Sequence, residues 1–228
     1  MTYTLITANR NYSSWSLRPW LLMTMLGIPF EDRLEPFASD SNYDAFRSFS
    51  PTGQVPVLLH QKRIIYDSMG IALYLADRHD GVWPIEENAR AWAMCAVSEM
   101  HGGFSALRSD CTMNVGVRVR PKPMSDALHR DVRRIAELWT QGLDSFGGPF
   151  LAGPKFTAVD AFFAPVAFRV RTYGLDVGRA GQEWVNHMLT LPPMLGWEKD
   201  ALTETWREAG HEEELRSCGE ITADYRQT

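Results

Sequence analysis

The segment Ser50-Pro51-Thr52-Gly53-Gln54-Val55-Pro56-Val57-Leu58 restricts the possible folds of this chain more than any other. A proline cannot donate to a sheet ladder, so Pro56 belongs at the head of a strand rather than inside one. The Val55-Pro56 bond is a candidate cis peptide, because only X-Pro bonds adopt cis at modest cost. A bend there leaves the Val55 backbone facing outward, where it can pair with an extended, peptide-like ligand. Asp67-Ser68 follows at a predicted helix start, whose N–H groups suit a carboxylate. The two features together describe a site for a small acidic peptide.

The flanking pattern fits this reading. Residues 3–7 and 30–34 have strand character. Residues 15–26 are apolar-rich and stop at Gly27, a suitable helix terminator. Taking Ser16 as N-cap places Pro19 in the first helical turn, where its missing N–H costs little. A short helix is predicted over 43–49, a hairpin over 57–60 and 63–66 around Gln61-Lys62, and a helix over 68–78. The order β-α-β-α-β-β-α implies a right-handed crossover between parallel strands, then an antiparallel hairpin, hence a mixed four-stranded sheet.

The remainder has a different texture. After the turn-rich connector 80–84 no strand is predicted. Long helices are expected over 88–107, 126–146 and 159–173, the last apolar nearly all round and so central and buried. Two more are expected over 183–191 and 194–208, separated by Pro192-Pro193. Residues from Glu212 onward read as an exposed or frayed charged tail, with Glu212-Glu213-Glu214 a solvated face. The expected domains are therefore 1–80, a linker 81–86, and an all-helical 87–228. Thr157-Ala158-Val159-Asp160 has the form of a capping box.

The bulk numbers exclude several classes. With 228 residues, 45% hydrophobic and 22% charged, the chain has an ordinary globular composition and enough apolar material for a core. A net charge of −5 gives no general attraction to nucleic acid or to an anionic membrane. No apolar run reaches the length of a membrane span, and the N-terminus lacks the charged start and apolar core of a secretory signal. Three scattered cysteines, Cys95, Cys111 and Cys218, point to a reducing cytoplasm. The six histidines and three cysteines form no metal-ligand spacing, so no metal is expected.

Gln54-Val55-Pro56, Asp67-Ser68 and Thr157-x-x-Asp160, in this order across an α/β half and a helical half, resemble the glutathione transferase superfamily. The resemblance covers all but the tail. It implies a thioredoxin-like N-terminal domain followed by a helical-bundle C-terminal domain, glutathione as co-substrate, a second-substrate cleft between the halves, and a homodimer. Ser13-Ser14-Trp15-Ser16-Leu17-Arg18 resembles the Ser-Ser-Cys-Ser-x-Arg signature of the zeta class, the maleylacetoacetate isomerases. In such serine-type enzymes a hydroxyl beside the first helix stabilises the glutathione thiolate, the nucleophilic form of the thiol. A hydrogen bond to a charged group contributes roughly 1.5–3 kcal/mol, so one donor lowers a thiol pKa by about one to two units.

By this resemblance Ser13, with Ser14 beside it, is the catalytic candidate. Val55 and Pro56 present backbone to the cysteinyl part of glutathione, Gln54 faces the glycyl end, and Asp67 and Ser68 hold the γ-glutamyl group. Read locally, the same serines are ordinary helix caps, and both readings stand at this point. Trp15 replaces the zeta cysteine, which weakens the isomerase reading and removes any thiol from the catalytic position. Trp15 and His101 are candidates for the second-substrate wall or an interface, with plain packing the simpler role for His101. Met113, Arg118 and Arg120 fall near a cleft-side loop, where an arginine would meet an acidic co-substrate. Thr157 and Asp160 are assigned to folding. Three functions remain open: a transferase acting on a small, mostly apolar electrophile, a glutathione-dependent isomerase, and a non-catalytic binding protein of the same fold.

Overall fold

A computed structural model describes residues 2–37 and 42–227. The N-terminal half runs β1 (Tyr3–Thr7), α1 (Ser14–Met25), β2 (Phe30–Leu34), α2 (Tyr43–Arg47), β3 (Val57–His60), β4 (Arg63–Ile65) and α3 (Ser68–Ala76). Its sheet has the order β2-β1-β3-β4. β1 pairs in parallel with β2, β3 lies antiparallel to β1 with Leu5 opposite Leu58, and β4 closes the hairpin. This is the mixed four-stranded sheet of a thioredoxin-like domain, and it follows from the helical crossover and the tight turn. Alternation puts Leu5 and Leu58 into the core with Leu17, Leu21, Ile71 and Leu75 of α1 and α3.

The C-terminal half is helical: α4 (Glu87–Gly102), α5 (Ser105–Asp110), α6 (Asp126–Phe146), α7 (Ala158–Tyr173), α8 (Gly178–Thr190), α9 (Pro192–Thr203) and α10 (Ala209–Cys218). The α7 helix is buried almost throughout and packs on both α1 and α4, so it joins the two halves. Asp160 fixes its start. This buried carboxylate accepts from the N–H groups of Thr157 (3.0 Å) and Leu151 (2.8 Å) and from the Trp184 indole (3.2 Å).

Three expectations are corrected. The helix expected over 88–107 breaks at Gly103. A Cβ there would lie 2.7 Å from the Glu99 carbonyl, and Phe104 then turns left-handed to begin α5. The helix α1 is capped by Ser13, not Ser16, which moves Pro19 beyond the first turn. Finally, the C-terminal half is not wholly helical. β5 (Val117–Pro121) pairs antiparallel with β6 (Gly219–Asp224). The segment read as a frayed tail is this strand together with α10, and Glu212 is held by both Tyr12 and Arg226.

Candidate active site

The loop between β1 and α1 is the base of the site, and the C-terminal segment holds it. The backbone N–H groups of Arg10 and Asn11 donate to the buried Glu204 carboxylate at 2.5 and 3.2 Å. The Trp197 indole donates to the Arg10 carbonyl at 2.9 Å. The Asn11 side chain accepts from the Gly116 N–H at 3.1 Å, and Tyr12 donates its hydroxyl to Glu212 at 2.6 Å. Residues distant in sequence thus set the conformation that delivers Ser13 and Ser14 to the start of α1.

Ser13 caps α1, accepting from the Ser16 N–H, and its hydroxyl donates to that of Ser16 at 2.7 Å. Ser16 Oγ in turn accepts from the Ala8 N–H. Ser13 lines a groove of about 850 Å³, within the usual size range of ligand sites. Ser14 faces away, into a smaller adjoining pocket of about 180 Å³. Tyr12, Trp15 and His211 border both.

The opposite wall carries Gln54, Val55 and Pro56, with the Val55-Pro56 peptide cis. Ser50 shapes this turn, its hydroxyl donating to the Gln54 carbonyl at 2.7 Å and accepting from the Gln54 N–H at 3.2 Å. Gly53 is required here. Its φ is +67°, and a Cβ would lie 2.6 Å from the Tyr43 ring.

Asp67 and Ser68 depart in detail from the sequence reading. Asp67 caps α3 itself, Oδ1 accepting from the N–H groups of Met69 (2.9 Å) and Gly70 (3.3 Å). Two of the helix-end donors expected to await a ligand carboxylate are therefore taken by a carboxylate of the chain. Its Oδ2 lies 3.2 Å from Nε2 of His101. Asp67 lines the groove, whereas the Ser68 side chain is fully buried behind it, 3.5 Å from Nη1 of Arg18.

His101 lines the groove between Asp67 and an edge-on Trp15 ring. Burial holds its pKa below the ordinary histidine value, with Arg18 and Arg108 adding to that and Asp67 opposing it. The arginines named from sequence lie elsewhere. Arg118 donates to the Val115 and Val117 carbonyls, and Arg120 pairs with Glu220 on β5 and β6. Met113 does line the smaller pocket, but the guanidinium groups there belong to Arg108 and Arg169. Sequence reasoning missed both, together with Tyr12, Phe37 and His211 of the groove. The visible clue was the Gly102-Gly103 pair, which ends α4 and frees the carbonyls that hold Arg108.

Comparison with known proteins settles the family. The family description "Glutathione S-transferase, N-terminal domain" matches residues 12–78, and "Glutathione S-transferase, C-terminal domain" matches residues 124–210. The chain belongs to the glutathione transferase superfamily. Among curated relatives, the glutathione S-transferase-like protein OpS6 of Beauveria bassiana is 24% identical over 161 residues, spanning 64% of this chain and 72% of that protein. A glutathione transferase homologue from Burkholderia, solved with bound glutathione, superposes with a TM-score of 0.66 at 19% identity, covering 88% of this chain and 98% of its own. The tau-class transferase of mango, Mangifera indica, has the same TM-score at 16% identity, covering 88% and 96%. The N-terminal transferase match contains the Ser13 loop, the Val55-Pro56 turn and Asp67. The matches do not single out the zeta class. Among the described residues, no helix is long and apolar enough to cross a membrane, and no group of three or more His, Cys, Asp or Glu is placed to hold a metal ion.

Proposed function

We propose that this chain is a glutathione transferase in which Ser13 stabilises the glutathione thiolate for attack on a small electrophile. One observation carries this reading: the Ser13 hydroxyl stands at the N-terminus of α1, on the wall of the groove formed with the cis Val55-Pro56 turn. Ser13 and Ser16 share one hydroxyl–hydroxyl contact, and hydroxyl protons rotate to suit their partners. Ser13 donates to Ser16 in the unliganded site, so its proton turns from Ser16 to the sulfur when glutathione binds. The positive end of α1 adds to the stabilisation. In this reading Val55 meets the cysteinyl part, Gln54 faces the glycyl end, and Asp67 faces the γ-glutamyl ammonium. Ser68, buried behind Asp67 and 3.5 Å from Nη1 of Arg18, would meet the γ-glutamyl carboxylate only if Asp67 shifts to uncover its N–H. The Burkholderia neighbour, solved with glutathione, supports this choice of ligand.

The test is a pH titration of thiolate absorbance for bound glutathione. Ser13→Ala is expected to raise the bound thiol pKa by about one to two units and to slow turnover at neutral pH. Ser14→Ala is expected to leave the pKa within about half a unit. If neither substitution moves it, the assignment is wrong.

The Ser13-Ser14-x-Ser16-x-Arg18 order also supports a zeta-type isomerase, which would turn over without net consumption of glutathione. A non-catalytic member of the fold would bind glutathione weakly or not at all, and calorimetric titration with no heat at millimolar glutathione would favour it. We extend the proposal to domains at 1–80 and 87–228, a cytoplasmic setting, and a homodimer. Half-exposed Ile64 and Leu73 and the partly exposed Met94, on β4, α3 and α4, supply apolar surface for such an interface, and sedimentation would read the dimer directly.

A further inference from the structure

Beside the groove lies the pocket that Ser14 borders, and its walls are basic. Arg108 and Arg169 both reach it. Each is anchored by carbonyl groups rather than by a carboxylate. Arg169, nearly fully buried, donates Nε to the Cys111 carbonyl at 2.8 Å and Nη1 to the Pro165 carbonyl at 3.4 Å. Arg108 donates Nε to the Gly103 carbonyl at 3.0 Å and Nη2 to the carbonyls of Met100 and His101. These anchors take part of each planar fork and leave the rest of the charge unpaired.

A third cation lies close by. Arg18 is fully buried with Nε and Nη2 unpartnered. Its guanidinium and that of Arg108 lie over the same Trp15 ring, 4.0 and 4.7 Å from the centroid. Among the described residues, no nearby acid forms an ion pair with any of the three guanidinium groups, although Asp131 and Asp67 act on Arg108 and Arg18 through space. Glu214 is an exposed residue at the pocket rim, Asp131 accepts from the Leu107 N–H beside Arg108, and Asp67 is committed to α3 and His101. His211 also borders the pocket, but its Nδ1 is held by Glu208 at 2.6 Å.

We propose that this pocket receives the carboxylate of the electrophilic substrate, so that the protein prefers anionic electrophiles over neutral ones. The proposal rests on the transferase reading and names its substrate class, against the mostly apolar second substrate that the sequence suggested. About 180 Å³ is roughly the share of six liquid waters, enough for a carboxylate and the first carbons behind it. Arginine forks match the flat, two-oxygen geometry of that group, and the Trp15 indole offers a flat wall beside them. Because Tyr12, Trp15 and His211 border both cavities, a molecule whose carboxylate sits here extends its reactive carbon toward the groove.

The test compares 4-chloro-3-nitrobenzoate with its neutral amide, 4-chloro-3-nitrobenzamide, each with glutathione. In both, the C–S bond forms at the ring carbon bearing chlorine, and chloride leaves with the bonding pair. With kcat/KM divided by the uncatalysed rate, the carboxylate is expected to lead by at least about tenfold. Arg108→Gln and Arg169→Gln should each bring that ratio close to one while amide turnover persists. Should those variants fail to fold, exposed Glu214→Gln serves instead and is expected to raise the ratio two- to threefold. A wild-type ratio near one that Glu214→Gln leaves unmoved would overturn the proposal. If neither compound turns over, the transferase reading fails separately, and calorimetric titration with 3-nitrobenzoate and 3-nitrobenzamide decides: binding about tenfold tighter for the carboxylate supports the anion site, and equal or absent binding refutes it.

Discussion

Arg18 is the most constrained residue near the site. Among the described residues it has no carboxylate partner, and burial, reinforced by Arg108 and Arg169, holds its pKa well below the usual arginine value, with Asp67 opposing. Such an arrangement costs stability, and replacing a buried charge with an apolar side chain of similar size is often neutral or stabilising. The Arg18→Met variant is therefore expected to melt at or above the wild-type temperature while its KM for glutathione rises several-fold. Scanning fluorimetry and steady-state kinetics on one preparation check both. A lower melting temperature with unchanged KM would make Arg18 a packing residue only. Trp15 belongs to the same cluster, since it stands between these cations and both cavities. From sequence it read as a missing cysteine and a candidate for the second-substrate wall or an interface, but not as the partner of two arginines, because those come from α1 and α5 together.

At the scale of elements, the C-terminal hairpin and the start of α7 carry separate predictions. Arg226 bridges Glu212, which holds Tyr12, and Asp224, the last residue of β6. Removing one partner of a buried pair leaves the other charge uncompensated, at a cost of about 3–5 kcal/mol. For a chain of this length each kcal/mol shifts the melting temperature by about 2–4 °C. Arg226→Ala is thus expected to lower the melting temperature by roughly 6–20 °C, and an unchanged value would show Glu212 to be hydrated instead. For Asp160, burial raises the carboxyl to about 6 from an unperturbed 3.8. Between those values the folded state binds more protons than the unfolded one, so stability falls as pH climbs from about 4 to about 6 and then levels. The loss is at most about 3 kcal/mol, at about 1.4 kcal/mol per pKa unit. The Asp160→Asn variant should lose this slope, and it should be weaker by about 1–3 kcal/mol above pH 6, where an amide N–H opposes one of the three donors. Melting curves across pH 4–8 check both effects.

At the scale of the whole molecule, the two halves share one core. The α7 helix packs on α1 and α4, and Glu204 and Trp197 of the helical half hold the Arg10-Asn11 backbone of the other. Unfolding one half would expose the α1–α7 surface and leave the Glu204 carboxylate without its donors. Thermal unfolding is therefore expected as one cooperative calorimetric transition, and two separated transitions would show independent halves. Saturating glutathione, at 100 times its Kd, should stabilise that transition by about 2.7 kcal/mol.

Much of this was legible in the chain by itself. The strands Tyr3–Thr7 and Phe30–Leu34 and the helix Asp126–Phe146 follow from local alternation or helical spacing, and Val55-Pro56 and Asp67 mark the groove wall because proline and a capping acid act on their own neighbours. Tertiary structure alone decided the rest. The strands β5 and β6 are short, far apart in sequence, and stable only once paired, so neither carries enough local pattern to be recognised. The fates of Ser68, Arg108 and Arg169 depend on which carbonyls, rings and hydroxyls surround them. A guanidinium left without a carboxylate becomes visible only when the distant segments that leave it unpaired have come together.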